Sequence, residues 1–541
     1  MFRILKIFCI IVIISESTMN RELMLNKLEA VNQPFDFVII GGGASGIGIV
    51  LEAVSRGYSA VLFEKSDFVK STSSKSTKLV HGGVRYLAQG DVALVREACV
   101  ERGLLLRNAP HLVRSQPFVI PAFGWFDEFL YTIGLTLYDL MAGRYSLRRS
   151  KRISKKQVLS YLPTLKENKL TAGILYYDGQ FDDARLAVNV LQTATGLGAV
   201  VVNHMPVEAL IKDGDGKLQG VKVKDLFSEK SFNVKGRFVI NATGVFADDI
   251  LRMDRPGMQP TMRPSQGIHI VLDKSFLPGD HAIMIPDTDD GRVLFAVPWH
   301  GRVVVGTTDT PIDQSSLEPV AKEEEIEFLL STYGRYLKEA PERSDVLSIF
   351  AGLRPLAATK NNNGKKTKEI SRNHKIIVSS SGLMTMIGGK WTTFRRMAED
   401  IISRAEKVNR LKRTRSVTRK MKVRGYKESV DMNDPYYVYG TDRDAMLDLV
   451  KGNPALGEFL SESLQIIKAQ VVWAVREEMA MTVEDVLSRR TRCQLLDARE
   501  SIRMAPEVAS IMAEEMGKDQ HWIRDQVSAY EEVTRNYFLE S

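Results

Sequence analysis

Cysteine is scarce in this chain. Three occur in 541 residues, Cys9, Cys99 and Cys493, far apart and without a CxxC pair. That excludes a disulfide framework and a thiolate metal centre, and it suits a reducing compartment. The eight histidines show no HExxH or HxH pattern, so no metal site is expected. Long apolar runs are also lacking. Ile7–Ile14, behind Arg3 and Lys6, falls far short of the ~20 residues that cross a bilayer. Its length fits a signal-peptide core, but Ser15-Glu16-Ser17-Thr18 offers no small-residue cleavage site, and Met19 opens an ordinary N-terminus. Residues 1–34 are therefore taken as a leader, either a start placed upstream of the true one or a short membrane-touching segment. Any membrane contact is expected to be peripheral. No internal repeat or low-complexity tract appears, which excludes a solenoid and a disordered chain.

With 44% hydrophobic and 26% charged residues, the chain has material for two or three globular domains. A net charge of +8 favours anionic partners: phosphorylated substrates, acidic lipid surfaces or nucleic acid. Nucleic acid is set aside, because the basic run 410–427 holds one aromatic residue, Tyr426, and no stacking array.

The most informative segment is Gly41-Gly42-Gly43-Ala44-Ser45-Gly46. It follows the apolar run Phe35–Ile40 and leads into Ile47-Gly48-Ile49-Val50-Leu51. Strand, glycine turn and helix start stand in the order that holds a dinucleotide pyrophosphate. Gly41 permits the tight turn, Gly43 lets backbone N–H groups approach phosphate, and Gly46 lets helix and strand pack closely. A second strand, Ala60–Phe63, ends in Glu64. A carboxylate there suits ribose hydroxyls and repels a 2′-phosphate, so NAD or FAD is favoured over NADP.

Strand and helix signals alternate from 35 to about 115, the pattern of a parallel sheet. A helix is expected over 184–198, then a strand at 199–203, strands at 218–224 and 232–235, and a buried strand at 237–241 ending in Ala242-Thr243-Gly244. From about 265 to 372, short β-rich runs such as 268–272, 293–297 and 302–305 surround a polar helix at 322–337, which suggests an antiparallel roof over a cofactor. Another buried strand, 376–379, leads through Gly388-Gly389-Lys390-Trp391-Thr392-Thr393 into a helix over 394–408. The basic run 410–427 is expected to be an exposed linker before a helical C-terminal region.

Ser71 to Leu87 places small hydroxyls and glycines beside cations, close after Glu64. By composition alone it fits a phosphate-lined site and an ordinary polar loop equally well. This run resembles the signature of FAD-dependent glycerol-3-phosphate dehydrogenases. So do Asp182 to Leu186, Asn241 to Gly244, Gly306 to Asp309, Gly352 to Leu356, Gly388 to Thr393 and, in the helical C-terminal region, Thr482 to Thr491. The resemblance runs in order from about 35 to 500. The calcium-binding extension of some mitochondrial members has no counterpart, since no EF-hand loop appears.

The resemblance implies an α/β chain: a Rossmann-like FAD-binding domain interleaved with a mainly antiparallel β-sheet substrate domain, plus an all-helical C-terminal domain. Region 35–408 would be the oxidoreductase, with FAD-binding segments at about 35–115, 170–264 and 373–408 and substrate segments at about 116–169 and 265–372. Residues 409–427 would link it to 428–541. FAD would lie on Gly41, Gly43, Ser45, Gly46, Glu64, Lys65, Thr72, Ser73, Ser74, Thr77, Lys78, His81, Gly82, Val207, Thr243, Gly244, Gly389, Lys390 and Thr392. The reaction implied takes a hydride from C2 of glycerol 3-phosphate, forms dihydroxyacetone phosphate and passes electrons to a membrane quinone.

Each chemical demand has candidates. Guanidinium groups match phosphate oxygens bidentately. Arg354 and Arg372, with Arg85 and Tyr86 beside them, are the family-matched phosphate ligands. A base must take the hydroxyl proton. His269, on a strand of the roof, leads, although a histidine on an apolar strand is more often a core residue. Lys390, just before a helix start, supplies a cation beside the reduced flavin or the substrate. His269, Arg354 and Lys390 are thus the expected catalytic group.

For the membrane, Arg148 to Lys156 follows the apolar-aromatic stretch 129–141, a pairing that fits an anionic bilayer surface as well as a core helix with a solvated end. The expected location is the cytoplasmic face of the inner membrane, with a homodimer as one arrangement open to the chain. The alternatives weighed are a glycerol-3-phosphate oxidase or amine oxidase that uses oxygen, and a non-catalytic flavoprotein scaffold.

Overall fold

The computed structural model describes residues 19–83, 91–286, 288, 291–358 and 374–540. Its strands, in chain order, are β1 (Phe35–Ile40), β2 (Ala60–Phe63), β3 (Leu79–Val80), β4 (Val113–Ala122), β5 (Lys151–Ser154), β6 (Ala172–Phe181), β7 (Val200–Val202), β8 (Val207–Lys212), β9 (Leu218–Lys224), β10 (Ser231–Asn241), β11 (Ser265–Asp273), β12 (Ala282–Ile285), β13 (Leu294–Trp299), β14 (Arg302–Gly306), β15 (Thr310–Pro311), β16 (Val346–Arg354), β17 (Lys375–Val378) and β18 (Met384–Ile387). The helices that matter for the site are α1 (Ala44–Ser55), α2 (Trp125–Ala142), α3 (Asp183–Gly196), α4 (Phe394–Val408), and the C-terminal α5 (Lys468–Glu478), α6 (Ala498–Met516) and α7 (Gln520–Thr534).

The first sheet runs β17-β18-β10-β1-β2-β7, with a β8–β9 hairpin extending β10. β1 lies parallel to both β2 and β10, at its centre. Phe37, Val38 and Ile39 are wholly buried there; α1 packs on β1 and β2, α3 on β7, and α4 packs onto α1. The second sheet runs β15-β11-β14-β13-β12-β4-β6-β3, with β16 on β11 and β5 on β6. It is antiparallel except where β12 meets β4. A separate apolar core, including Ile268, Ile270, Val303 and Tyr333, packs the helix Glu323–Gly334 onto its outer side. The architecture is the interleaved α/β arrangement with a helical C-terminal region.

Four details correct the sequence reading. Ala172–Phe181, grouped above with the FAD-binding segments, pairs with β3, β4 and β5 in the second sheet. The expected buried strand at 376–379 is the half-exposed antiparallel edge β17, which pairs with β18 at the end of the sheet. The basic run is no free linker. Thr418 and Val423 are buried, and the Thr418 hydroxyl donates to Glu52 of α1 at 2.6 Å. The C-terminal region also holds a short antiparallel strand pair, Phe459–Ser461 with Ile466–Ile467.

Buried ions bind the C-terminal region to the first sheet. Arg490 donates to both oxygens of Asp67 at 2.7 and 2.9 Å, and Arg489 adds a third bond to Asp67 at 2.5 Å. Arg185 of α3 donates to both carboxylate oxygens of Glu478 at 2.6 and 2.7 Å. Removing one partner of such a pair strands a buried charge, at about 3–5 kcal/mol. Asp67, His204 and Asp485 also lie close enough together to suggest a cation site. The arginines already neutralise both carboxylates, and Asp485 accepts from Arg489 at 2.8 Å, so these groups serve as an ion-pair network.

Candidate active site

Between the two sheets lies a cavity of about 420 Å³. The first sheet lines it through the ends of β1 and β2 and the turn after β10, the second through β11, β16 and Thr307 just after β14. Its glycine turn behaves as the sequence requires. Gly41 has φ +105°, and a Cβ there would sit 2.8 Å from the Ala242 carbonyl oxygen. A Cβ on Gly46 would overlap the Gly41 carbonyl, so Gly46 works by letting α1 close onto β1. Gly43, at the N-cap of α1, has no side chain with which to cap the first turn. The Ser73 hydroxyl accepts the Ala44 N–H at 3.0 Å, and Ser45 lines the cavity beside it. A helix N-terminus facing a polar cavity is a ready anion site.

Glu64 is partly buried, and its two oxygens accept the N–H groups of Gly42 at 2.6 Å and Ser66 at 3.0 Å. Burial pushes its pKa up, against the pull of those N–H groups. Lys65 sits 3.8 Å over the Phe246 ring. Thr72 donates to the Leu353 carbonyl at 2.6 Å, and the Trp391 indole donates to the Ser73 carbonyl at 2.8 Å. Together with Thr77, His81, Val207, Thr243, Gly244, Gly389, Lys390 and Thr392, these residues wall the cavity. Lys390 is the N-cap of the turn Trp391–Thr393, which continues into α4.

Four expected cofactor contacts lie behind the wall. Gly46 acts in packing, as above. Ser74 is buried and outside the lining. Lys78 has no exposed surface; its ammonium binds both oxygens of Asp183 at 2.8 and 2.9 Å and the Ser74 carbonyl at 2.7 Å. A positive φ of +63° at Lys78 turns its side chain into the protein. Gly82 is packed so tightly on Tyr138 and Cys99 that a Cβ would collide with both. Its N–H donates to Asp178 at 3.3 Å, and Asp178 also accepts from Arg102 at 2.7 Å and from Tyr138 of α2 at 2.8 Å.

On the roof, His269 and Arg354 are brought together by adjacent strands, since His269 pairs with Phe350 and Ser265 with Arg354. The His269 ring stacks on Phe350, with centroids 4.9 Å apart. Its Nε2 is 2.8 Å from the Thr77 hydroxyl, while Nδ1 is buried with no hydrogen-bond partner among the described residues. Burial, with Arg354 and Lys78 nearby, drives its pKa well below the ordinary value, so the ring is neutral. Arg354 is held at four acceptors: the carbonyls of Gln266 at 3.1 Å and Thr308 at 2.8 Å, the Thr307 hydroxyl at 3.0 Å, and Asp309 at 3.2 Å. Gly267 and Gly306 make room for these side chains, because a Cβ on either would strike Arg354 or the His269 ring.

Thr307 and Asp309, which fix Arg354, were not singled out as site residues, although Gly306 to Asp309 was part of the matched pattern. Lys75 was not singled out in the sequence either, yet it lines the cavity and is buried. Arg85, Tyr86 and Arg372 lie outside the described residues.

The donor set fits FAD. It offers a left-handed glycine turn, a helix N-terminus without a side-chain cap, a carboxylate after β2, and a Gly-Gly-Lys turn opposite them. Known proteins agree. Residues 36–395 match the family described as FAD dependent oxidoreductase, and residues 384–522 match the C-terminal domain of alpha-glycerophosphate oxidase. The chain is 37% identical to the human mitochondrial glycerol-3-phosphate dehydrogenase, over 96% of this chain and 75% of that protein. It is 38% identical to a probable mitochondrial glycerol-3-phosphate dehydrogenase of Caenorhabditis elegans, over 90% and 71%. Its structure resembles that of the glycerol-3-phosphate dehydrogenase of Bacillus halodurans complexed with FAD, with a TM-score of 0.77, 27% identity, and coverage of 95% of this chain and 97% of that one. The chain is therefore an FAD-dependent oxidoreductase and belongs to the glycerol-3-phosphate dehydrogenase family.

Proposed function

We propose that this enzyme oxidises sn-glycerol 3-phosphate to dihydroxyacetone phosphate and delivers the electrons to a membrane quinone. One observation supports the reading above all: a neutral His269 and a firmly held Arg354 face one cavity across adjacent strands, opposite the glycine turn and Lys390. Bound FAD supplies the two-electron acceptor for the hydride.

The protein does the rest. Arg354 takes the phosphate, with Arg372, Arg85 and Tyr86 as the further expected ligands, and so fixes the three-carbon chain by one end. The substrate hydroxyl enters the hydrogen bond that Thr77 now makes with His269, and the proton passes to Nε2. Burial, and after it the neighbouring cations Arg354 and Lys78, keep the ring neutral, so a ring nitrogen offers the lone pair that a base needs. Lys390 and the N-terminus of the following turn place positive potential where negative charge accumulates during the reaction. The closed apolar core behind the roof keeps water from the rear of the site.

Electron delivery requires a membrane surface, and α2 supplies a fitting one. Only Leu135, Tyr138 and Ala142 of this helix are buried. Trp125 is 78% exposed and Leu140 72%, with Phe126, Phe129, Leu130, Ile133 and Leu137 also exposed. Such a patch marks an interaction site. Arg148, Arg149, Lys151, Arg152, Lys155 and Lys156 follow it in sequence, and each cation near an anionic bilayer contributes ~1 kcal/mol. Among the described residues no helix is long and apolar enough to cross a membrane. The reading is of peripheral docking on an inner membrane, with the cytoplasmic face as the sequence-based expectation.

The test is steady-state turnover of the yellow holoenzyme with glycerol 3-phosphate under anaerobic conditions, with a quinone dye as acceptor. Dye reduction dependent on glycerol 3-phosphate is expected. Reoxidation by oxygen as fast as by the dye would replace the quinone reading with an oxidase. A yellow protein idle on this substrate would overturn the proposal.

A further inference from the structure

The loop that walls the cavity from Ser71 to Thr77 is fastened from outside by groups that the reaction does not use. Lys75 is 7% exposed. Its ammonium lies 3.2 Å from Glu318 and 4.3 Å from the centre of the Tyr537 ring, and it contacts the Tyr537 hydroxyl. That hydroxyl in turn donates to Glu318 at 2.5 Å. Lys70, at the start of the loop, pairs with Glu484 at 2.7 Å and lies 3.8 Å from Glu318. Burial lowers the pKa of Lys75, and Glu318 opposes that shift. Two lysines, two glutamates and a tyrosine from four separate stretches of chain thus meet behind one wall of the site.

The inner side of the same loop touches the reacting region directly. A Cβ on Gly352 would stand 2.8 Å from the Lys75 Cβ and 2.9 Å from its carbonyl, so the loop is packed against β16 just before Arg354. Thr72 is bonded to Leu353, and Thr77, two residues past Lys75, is bonded to His269. Displacing Lys75 therefore moves the loop relative to both residues proposed to handle the substrate. Tyr537 belongs to the turn Arg535–Tyr537, beyond residue 522, where the match to the C-terminal family domain ends. It is 4% exposed and packs with Phe350, the residue on which the His269 ring stacks.

We infer that Tyr537 is a positioning residue for the active site: with Glu318 it holds Lys75, and through Lys75 it sets the Ser71–Thr77 loop against His269 and Arg354. A segment far from the glycine turn in sequence thus braces one wall of the cavity from behind. The inference rests on the proposed roles of His269 and Arg354, and its test separates the two.

The variants are Y537F, which keeps the ring over Lys75 and removes only the hydroxyl, and E318Q, which removes the charge. Y530F is the control, because the Tyr530 hydroxyl donates to Ser501 at 2.8 Å inside the C-terminal region without contacting the loop. Holoenzymes are compared by dye-coupled kinetics with glycerol 3-phosphate, and the proteins freed of FAD by hydrogen exchange of the peptide spanning 70–78. Y537F and E318Q are expected to lower kcat about tenfold, the scale of one lost hydrogen bond to a charged group, with KM changed less. Exchange across 70–78 is expected to rise in both variants without FAD, and Y530F to alter neither readout. Loss of thermal stability in Y537F with unchanged kcat, KM and 70–78 exchange would overturn the inference. If H269Q keeps full turnover while Y537F loosens the loop, the assignment of the base fails and the clamp stands.

Discussion

Replacing Arg354 by lysine tests the phosphate grip most directly. The guanidinium is aimed by four acceptors at 2.8 to 3.2 Å, two of them main-chain carbonyls. Lysine keeps the charge and some of these bonds but loses the planar fork that meets two phosphate oxygens at once. One charge-assisted bond lost is about 2 kcal/mol, which corresponds to a fall of roughly thirtyfold in kcat/KM. The same assay with glycerol, which lacks the phosphate, isolates the contribution. R354K is expected to leave the slow glycerol rate within about twofold, because the part of the site that handles the hydroxyl is unchanged. An equal loss with both alcohols would refute the reasoning. It would mean that Arg354 only braces the Thr307–Asp309 segment, and that the phosphate is gripped elsewhere.

Four further outcomes are expected. His269 titrates below its ordinary value, so the acid limb of kcat/KM should lie below about pH 6.5 and disappear in H269Q. The same depressed pKa makes the unfolded chain bind more protons below that pH, so the contribution of His269 to stability should fall on acidification; chemical denaturation at pH 7 and 5 with H269Q as reference checks the sign. K78M strands the buried Asp183 carboxylate and should cost about 3–5 kcal/mol in urea unfolding, with much of it recovered in K78M/D183N. Serine at Trp125, Phe129 and Leu140 should abolish sedimentation with vesicles of anionic lipid while changing unfolding stability by less than about 1 kcal/mol, since all three are exposed; unaltered sedimentation would remove α2 from the membrane proposal.

Much of this was legible in the sequence where local chemistry dictates local structure. The turn Gly41–Gly46 lies where its glycines require, and helix 394–408 and strand 218–224 fall on the expected residues. The cavity walls were legible only through the resemblance, because a polar loop such as Ser71–Thr77 has no periodicity of its own. Lys78 shows why a motif cannot tell wall from support. Adjacent residues of an extended stretch face opposite ways, so Thr77 lines the cavity while Lys78 turns inward to Asp183, 105 positions later. Ala172–Phe181 pairs in the second sheet although the segment boundary near 170 grouped it with the FAD-binding part, because an apolar strand does not name its neighbour. The basic run looked solvated by composition, yet Thr418 and Arg424 meet Glu52 and Asp442, partners set only by the tertiary fold. The Lys75–Tyr537 contact spans 462 positions and leaves no local trace in the sequence.

The bond between Gly82 and Asp178, shared with Tyr138, has a practical consequence. It divides α2 into a side that belongs to the catalytic scaffold and a side that belongs to the surroundings. A version of this enzyme made to be handled without detergent can be redesigned freely at Trp125, Phe129, Ile133 and Leu140. Polar substitution at Tyr138 or Leu135 instead disturbs the buried Arg102–Asp178 network and the apolar core behind the cavity wall.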